Sequence, residues 1–343
     1  MLRKIFIKLA NIFNFHFIII QKIYNKPTLR TQKFFTKGRS MNLRKIVYLA
    51  LALVILLLVG SCGGEKTEEA EKKSDNGEEV AEEEKLPQSD KFVTAAKDFS
   101  NLQLDDITKP VYDYYGVWDR QEKNLPMAMP ELTPFQPAAG EQIVYLTFDD
   151  GPDDKNTPAV LDILKENQVP ATFYVLGSMV EKNPEVLKRI FEEGHAIGNH
   201  SYNHNYKELY ASPWAYIEQF IKTDEIIQAY IGVRPLITRA PGGTAGVFDA
   251  NYWEMVKSMG YVEHDWNIVT QDATPQRPNA SMQINNILRQ LGQNPPRNVI
   301  LLMHSNAGKE ETVKALPEII KLFKDWGYQF GVVTPMTPQP YDY

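Results

Sequence analysis

Between residues 142 and 333 the sequence switches repeatedly between two hydrophobic periods, and that alternation leaves few folds open. Apolar, β-rich runs stand at 143–148, 172–176, 196–197, 236–239, 261–268, 299–303 and 328–333. Amphipathic helical stretches fall between most of them, at 158–167, 184–193, 214–230, 249–259, 281–291 and 310–326. Strand and helix in turn imply parallel strands joined by helical crossovers, hence an α/β fold. Seven strands can curl into an incomplete barrel or lie open as a doubly wound sheet, and periodicity alone does not choose.

In parallel β/α folds the functional groups gather at the carboxyl ends of strands, because the loops there face one surface. The polar residues of this chain fall there repeatedly. Asp149 and Asp150 follow the first run, in Thr147-Phe148-Asp149-Asp150-Gly151-Pro152, and His200-Ser201-Tyr202-Asn203-His204 follows the third. Arg239-Ala240-Pro241-Gly242-Gly243 ends the fourth, Asp272 lies past the fifth, and His304 closes 299–303. Asp-Asp-Gly-Pro by itself also reads as a plain acidic turn. Convergence from five separate elements favours a site.

Adjacent side chains on extended backbone point to opposite sides unless a turn rotates them together, so one aspartate can hold a metal while the other takes a proton. His200 and His204, four residues apart, place two imidazoles on one side of a helical turn or tight loop, and a carboxylate would complete a three-ligand site with an open fourth position. His195 and His264 have no such company and read as structural. Arg239 reads as the partner of a buried carboxylate. The glycines after Pro241 would let backbone N–H groups approach a substrate oxygen.

On these motifs the chain resembles the polysaccharide deacetylases of carbohydrate esterase family 4, the NodB-homology domain, over residues 142–335. The matching segments are Thr-Phe-Asp-Asp-Gly-Pro at 147–152, His-Ser-x-x-His at 200–204, Arg-x-Pro-Gly at 239–242 and Leu-Met-His at 302–304. The resemblance implies a distorted (β/α)7 barrel and one divalent metal, commonly zinc, with cobalt, nickel or manganese as alternatives, held at Asp150, His200 and His204. It also implies Asp149 as general base, Arg239 as the residue orienting it, His304 as general acid supported by Asp272, and Leu302 as a wall of the acetyl pocket. Gly242 would offer its backbone N–H to the substrate. In 266–273 the chain departs from the family: Val269 stands where aspartate is frequent and Ala273 where tryptophan often follows.

Upstream, residues 1–61 carry 11 Lys and Arg and no acid. Within them Met41 begins a second start: Arg44-Lys45, an apolar run over 46–59, then Val59-Gly60-Ser61-Cys62. The run is short for a membrane span and ends in small residues, as a secretory signal does. The stretch resembles a bacterial lipoprotein signal, with Cys62 as the lipidated mature N-terminus, and places the remainder extracytoplasmically on a membrane. Residues 1–40 read as an upstream over-read. Residues 62–90 are an acidic, disordered tether, 91–141 an aromatic and proline-rich extension, 142–335 the catalytic domain and 336–343 a tail. Without 1–61 there remain 26 of the 37 Lys and Arg against all 43 Asp and Glu, a balance of −17, which argues against nucleic acid. The single Cys excludes an intrachain disulfide framework.

The expected function is therefore removal of N-acetyl groups from a glycan, with peptidoglycan first because the tether keeps the enzyme at the envelope. Chitin-type oligosaccharide, exopolysaccharide and xylan are alternative substrates. A metal-bearing glycan-binding lipoprotein without turnover is the alternative from another class. No protein partner is predicted.

Overall fold

The computed structural model describes residues 90–340, apart from 96, 100, 101 and 103–105. The signal expected over 1–61, Cys62 and the tether up to 89 lie outside the described residues, as do 341–343. Among the described residues no helix is long and apolar enough to cross a membrane.

The chain opens with β1 (Val93–Ala95), β2 (Val111–Asp113) and a short helix α1 (Val117–Glu122). The alternation follows: β3 (Ile143–Asp149), α2 (Asn156–Asn167), β4 (Thr172–Val175), α3 (Gly177–Lys182), α4 (Pro184–Glu192), β5 (Ala196–Asn199), α5 (Tyr206–Leu209) and α6 (Pro213–Ile231). After them come β6 (Arg234–Pro235), β7 (Ile237–Thr238), α7 (Ala250–Ser258), β8 (Val262–Glu263), β9 (Ile268–Val269), α8 (Ala280–Leu291), β10 (Asn298–His304), α9 (Glu310–Asp325) and β11 (Gln329–Gly331). The helices start where local chemistry tells them to. Ser212, Asp249 and Asn279 cap α6, α7 and α8 through their side chains, Pro213 opens α6, and Gly232 ends it at φ 78°.

The main sheet runs β8-β7-β5-β4-β3-β10-β9, with β11 also paired to β3, and every pairing is parallel. It is the curled sheet of a distorted, incomplete (β/α)7 barrel, so the incomplete barrel wins over the open doubly wound sheet. The single strand expected over 261–268 is a misreading. It is two strands, β8 and β9, which lie at opposite edges of the sheet. Between them the chain crosses the gap in the barrel with little backbone pairing, and side chains stand in for it: Asn267 Nδ2 donates to Asn298 O and its Oδ1 accepts from Ile300 N, both at 2.9 Å. The apolar residues of 261–268 concealed a barrel seam, because burial of both edges produces the same pattern as one buried strand.

Alternation along the central strands separates two cores. On β3, Val144, Leu146 and Phe148 join the larger core against the helices, with Val299, Leu301 and Met303 of β10. Ile143 and Tyr145 face the barrel interior with Tyr174, Ile237, Ile300 and Val333. Continuing up the interior face, the period of two delivers Thr147 and Asp149 on β3 and Leu302 and His304 on β10 to one mouth. That is how a packed barrel comes to carry a polar end.

The described residues of 91–141 pack on the barrel. β1 and β2 pair in parallel, and β2 pairs antiparallel with β6. Phe99, Leu102 and Val111 form a small core with Leu236. At its centre Asp113, Arg120 and Arg234 are all fully buried. Arg120 grips Asp113 through Nε at 2.6 Å and Nη2 at 2.9 Å, and Arg234 Nη2 reaches Asp113 at 2.9 Å. Removing the carboxylate leaves two guanidinium groups buried without it. Asp113→Ala is expected to destabilise the domain by about 3–5 kcal/mol in urea or thermal unfolding.

Candidate active site

Asp150 has φ 70°, a left-handed conformation unusual outside glycine. That twist rotates Asp150 back toward the side Asp149 faces, so both carboxylates meet one imidazole: His200 Nε2 lies 3.6 Å from Asp149 Oδ2 and 3.6 Å from Asp150 Oδ1. The loop after β5 makes a similar bend, with φ 75° at Ser201 and 57° at His204. It is held by Gly177 N donating to Ser201 O at 3.1 Å, Ser178 N to Tyr202 O at 2.9 Å and His204 N to Ser201 Oγ at 3.2 Å. The bend brings His204 Nε2 to 3.7 Å from Asp150 Oδ1.

Asp150, His200 and His204 each present a ligand atom, and the three atoms lie within 4.8 Å of one another. His200 Nδ1–H donates to Arg239 O at 2.7 Å, which turns the lone pair of Nε2 toward the aspartates. Burial pushes the His200 pKa down to about 3, so its imidazole is neutral, as a ligand must be. Asp150 Oδ1 is buried with no hydrogen-bond partner. An orphaned carboxylate oxygen facing two imidazole nitrogens is a donor set that fits a zinc-type divalent ion.

Asp149 is 2% exposed. Arg239, fully buried, donates from Nη1 to Asp149 Oδ1 at 2.8 Å and to Thr147 Oγ1 at 2.7 Å, and from Nε to His264 O at 2.9 Å. Its guanidinium lies over the Tyr174 ring at 4.1 Å. Burial raises the Asp149 pKa, and Arg239 opposes that rise. Across the mouth, His304 Nδ1–H donates to Asp272 Oδ1 at 2.8 Å, and its Nε2 stands 4.0 Å from Asp150 Oδ2. Asp272 is clamped in turn by His304 N and Thr312 Oγ1, each at 2.9 Å from Oδ2. Burial would lower the His304 pKa, but Asp272, with Asp149 and Asp150 adding charge, outweighs it and raises the value. The same pairing holds Asp272 below its usual range against its own burial.

Leu302 is buried on β10, two residues before His304 and so on the same face. Gly242 sits at φ 79° in the turn after Arg239. Asp149, Asp150, His200, His204, Arg239, Asp272 and His304 thus share one mouth. His195 and His264 stand apart: His195 Nδ1 accepts from Ala171 N at 3.2 Å, and His264 Nε2 bonds Thr337 O at 3.2 Å.

Comparisons with known proteins identify the family. The polysaccharide deacetylase family model matches residues 136–264. A peptidoglycan-N-acetylglucosamine deacetylase of Bacillus cereus is 38% identical over 196 residues, 56% of this chain and 67% of that protein. Another from the same organism is 32% identical over 202 residues, 57% of this chain and 88% of that protein. The chain belongs to the polysaccharide deacetylase family. Among solved structures, the catalytic domain of a peptidoglycan N-acetylglucosamine deacetylase from Eubacterium rectale is similar with a TM-score of 0.55 and 28% identity, covering 62% of this chain and 97% of that one. Membership makes the chain a hydrolytic glycan deacetylase. The family match ends at residue 264, before Asp272 and His304.

Several residues that shape the site escape a reading by motif. Glu263, 2% exposed, braces the Arg239 turn by accepting from Ala240 N, from Thr238 Oγ1 at 2.6 Å and from Tyr216 Oη at 3.0 Å. Burial pushes its pKa up to about 7. Asp265 accepts from Thr244 Oγ1 at 2.6 Å on the same turn. Asn199 ties the histidine loop to the interior: its Oδ1 accepts from Ser201 N at 3.0 Å and its Nδ2 donates to Asp224 Oδ1 at 2.6 Å. Asp224 continues through Arg234, at 3.3 Å, to Asp113 of the extension. A polar residue inside an apolar run, such as Glu263, was the available signal.

Proposed function

We propose that this protein is a metal-dependent hydrolase that removes N-acetyl groups from a cell-envelope glycan, peptidoglycan first, releasing acetate. The observation that carries the reading is the placement of a base and an acid on either side of one ligand group: Asp149 held by Arg239, and His304 held by Asp272. A non-catalytic glycan binder has no need of both. The peptidoglycan deacetylases among the relatives support the choice of glycan.

Asp150, His200 and His204 would hold the ion, which when bound polarises the acyl carbonyl and acidifies water. Asp149 takes the proton of the attacking water. Its raised pKa brings it nearer the working range of a general base, while Arg239 fixes which oxygen faces the water. Gly242 N–H would donate to the developing oxyanion, an interaction worth about 3 kcal/mol in other hydrolases. Leu302 would wall the acetyl methyl group. His304 Nε2 gives its proton to the departing nitrogen, since an amine anion is a poor leaving group, and the C–N bond breaks to acetate and free amine.

The acid assignment has a pH signature. Asp272 raises the His304 pKa, so Asp272→Asn should release the imidazolium proton at lower pH and move the alkaline limb of the rate profile downward. An unmoved limb would contradict the assignment. Substrate choice is tested by incubating the purified protein with peptidoglycan, chitin oligomers and acetylated xylan and measuring acetate. We expect release from peptidoglycan at the highest kcat/KM. A preference for chitin oligomers or xylan would replace the glycan while leaving the chemistry.

The anchor is part of the same proposal. Lipidation at Cys62 would keep the enzyme at the envelope, with the acidic tether giving it reach. Cys62→Ser is expected to abolish lipid labelling and to release the protein from membranes or leave the precursor uncut; unchanged labelling would refute the anchor.

A further inference from the structure

Tyr206 is 52% exposed although it stands two residues past His204, at the start of α5. Its ring meets His204 edge-on with centroids 5.1 Å apart and leans on Tyr210 at 6.0 Å. On its other side it lies against Gly242. A Cβ at 242 would fall 2.8 Å from Tyr206 Oη, closer than such atoms approach, and 3.0 Å from its Cε1. The phenol therefore fills the volume that a side chain at 242 would take. The turn beneath it is fixed, because Tyr210 Oη donates to Pro241 O at 2.6 Å. Among the described residues no hydrogen bond is formed by the Tyr206 hydroxyl.

We propose that Tyr206 is a glycan-contacting residue that walls the cleft beside His204 and Gly242 and binds the sugar bearing the acyl group. The inference rests on the deacetylase reading. A pyranose presents a C–H face with hydroxyls at its rim, and a half-exposed aromatic ring with an unengaged hydroxyl matches both. A ring already held by His204, Tyr210 and the Gly242 turn loses little freedom on binding, so its contact area is retained in affinity.

The test compares Tyr206→Ala and Tyr206→Phe with the unsubstituted protein. KM and kcat are measured on an N-acetylated glycan oligomer and on a small aryl acetate, bound zinc is counted, and the Kd of the oligomer is measured by calorimetry in an Asp149→Asn background. Tyr206→Ala should raise KM and Kd for the oligomer by about tenfold or more, and Tyr206→Phe by roughly two- to tenfold through loss of one hydrogen bond. Zinc should be retained, and the loss on aryl acetate should be much smaller than on the oligomer. Unchanged oligomer KM and Kd in Tyr206→Ala would overturn the inference alone. So would parallel losses on both substrates together with zinc, because the ring would then only prop His204. An unsubstituted protein that releases no acetate from any N-acetylated glycan would overturn the deacetylase reading and this inference with it.

Discussion

His200→Ala and His204→Ala are each expected to reduce bound metal from one equivalent to a small fraction, and deacetylase activity with it. The ligand group has three protein atoms, so deletion of one leaves a carboxylate and a single imidazole, which hold a divalent ion poorly. The two variants should differ in a second respect. His200 is buried and its Nδ1–H satisfies Arg239 O, so its removal orphans a buried carbonyl and lowers the melting temperature as well. His204 is only partly buried, and its loss should affect metal far more than folding. Metal analysis with thermal unfolding separates the two. Full metal content in either variant would mean that the ligands are misassigned.

Asp149→Asn is expected to retain most metal, because it leaves Asp150, His200 and His204 intact, and yet to lose at least the ~10²-fold that removal of a general base typically costs. The amide keeps the shape and can still meet Arg239, so a folding defect should be minor. What it lacks is the capacity to accept a proton. Paired measurement of zinc content and kcat on a glycan amide is the check. Loss of metal and activity together would make Asp149 a ligand, a role its 3.6 Å distance from His200 Nε2 makes worth testing. Wild-type-like activity would remove it from the mechanism altogether.

Much of this site was legible in the sequence because a parallel β/α chain sends its functional groups to strand ends. Asp149, Arg239 and His304 each close an apolar run, and the structure gathers them at one mouth. The rotation that brings Asp150 alongside Asp149 was open beforehand, since it depends on a left-handed φ at a non-glycine residue that no pattern announces. The seam between β8 and β9 was missed for a related reason: buried edges on two sides of a gap have the composition of one strand. Asp113, Arg120, Asp224 and Arg234 were invisible because charged residues are read as surface until a partner of opposite charge, up to 121 positions away, is brought beside them. Tyr206 gave no sign of its place against Gly242, because that contact joins the start of α5 to a turn that only the barrel brings beside it.

N-deacetylation is expected to depend on an ion held by Asp150, His200 and His204. The direct measurement strips the purified protein with chelator, follows acetate release from an N-acetylated glycan, and titrates zinc back. Release is expected to stop in the stripped protein and to return in full at one equivalent of zinc per chain, with no return in His204→Ala. Undiminished acetate release from metal-free protein would contradict it.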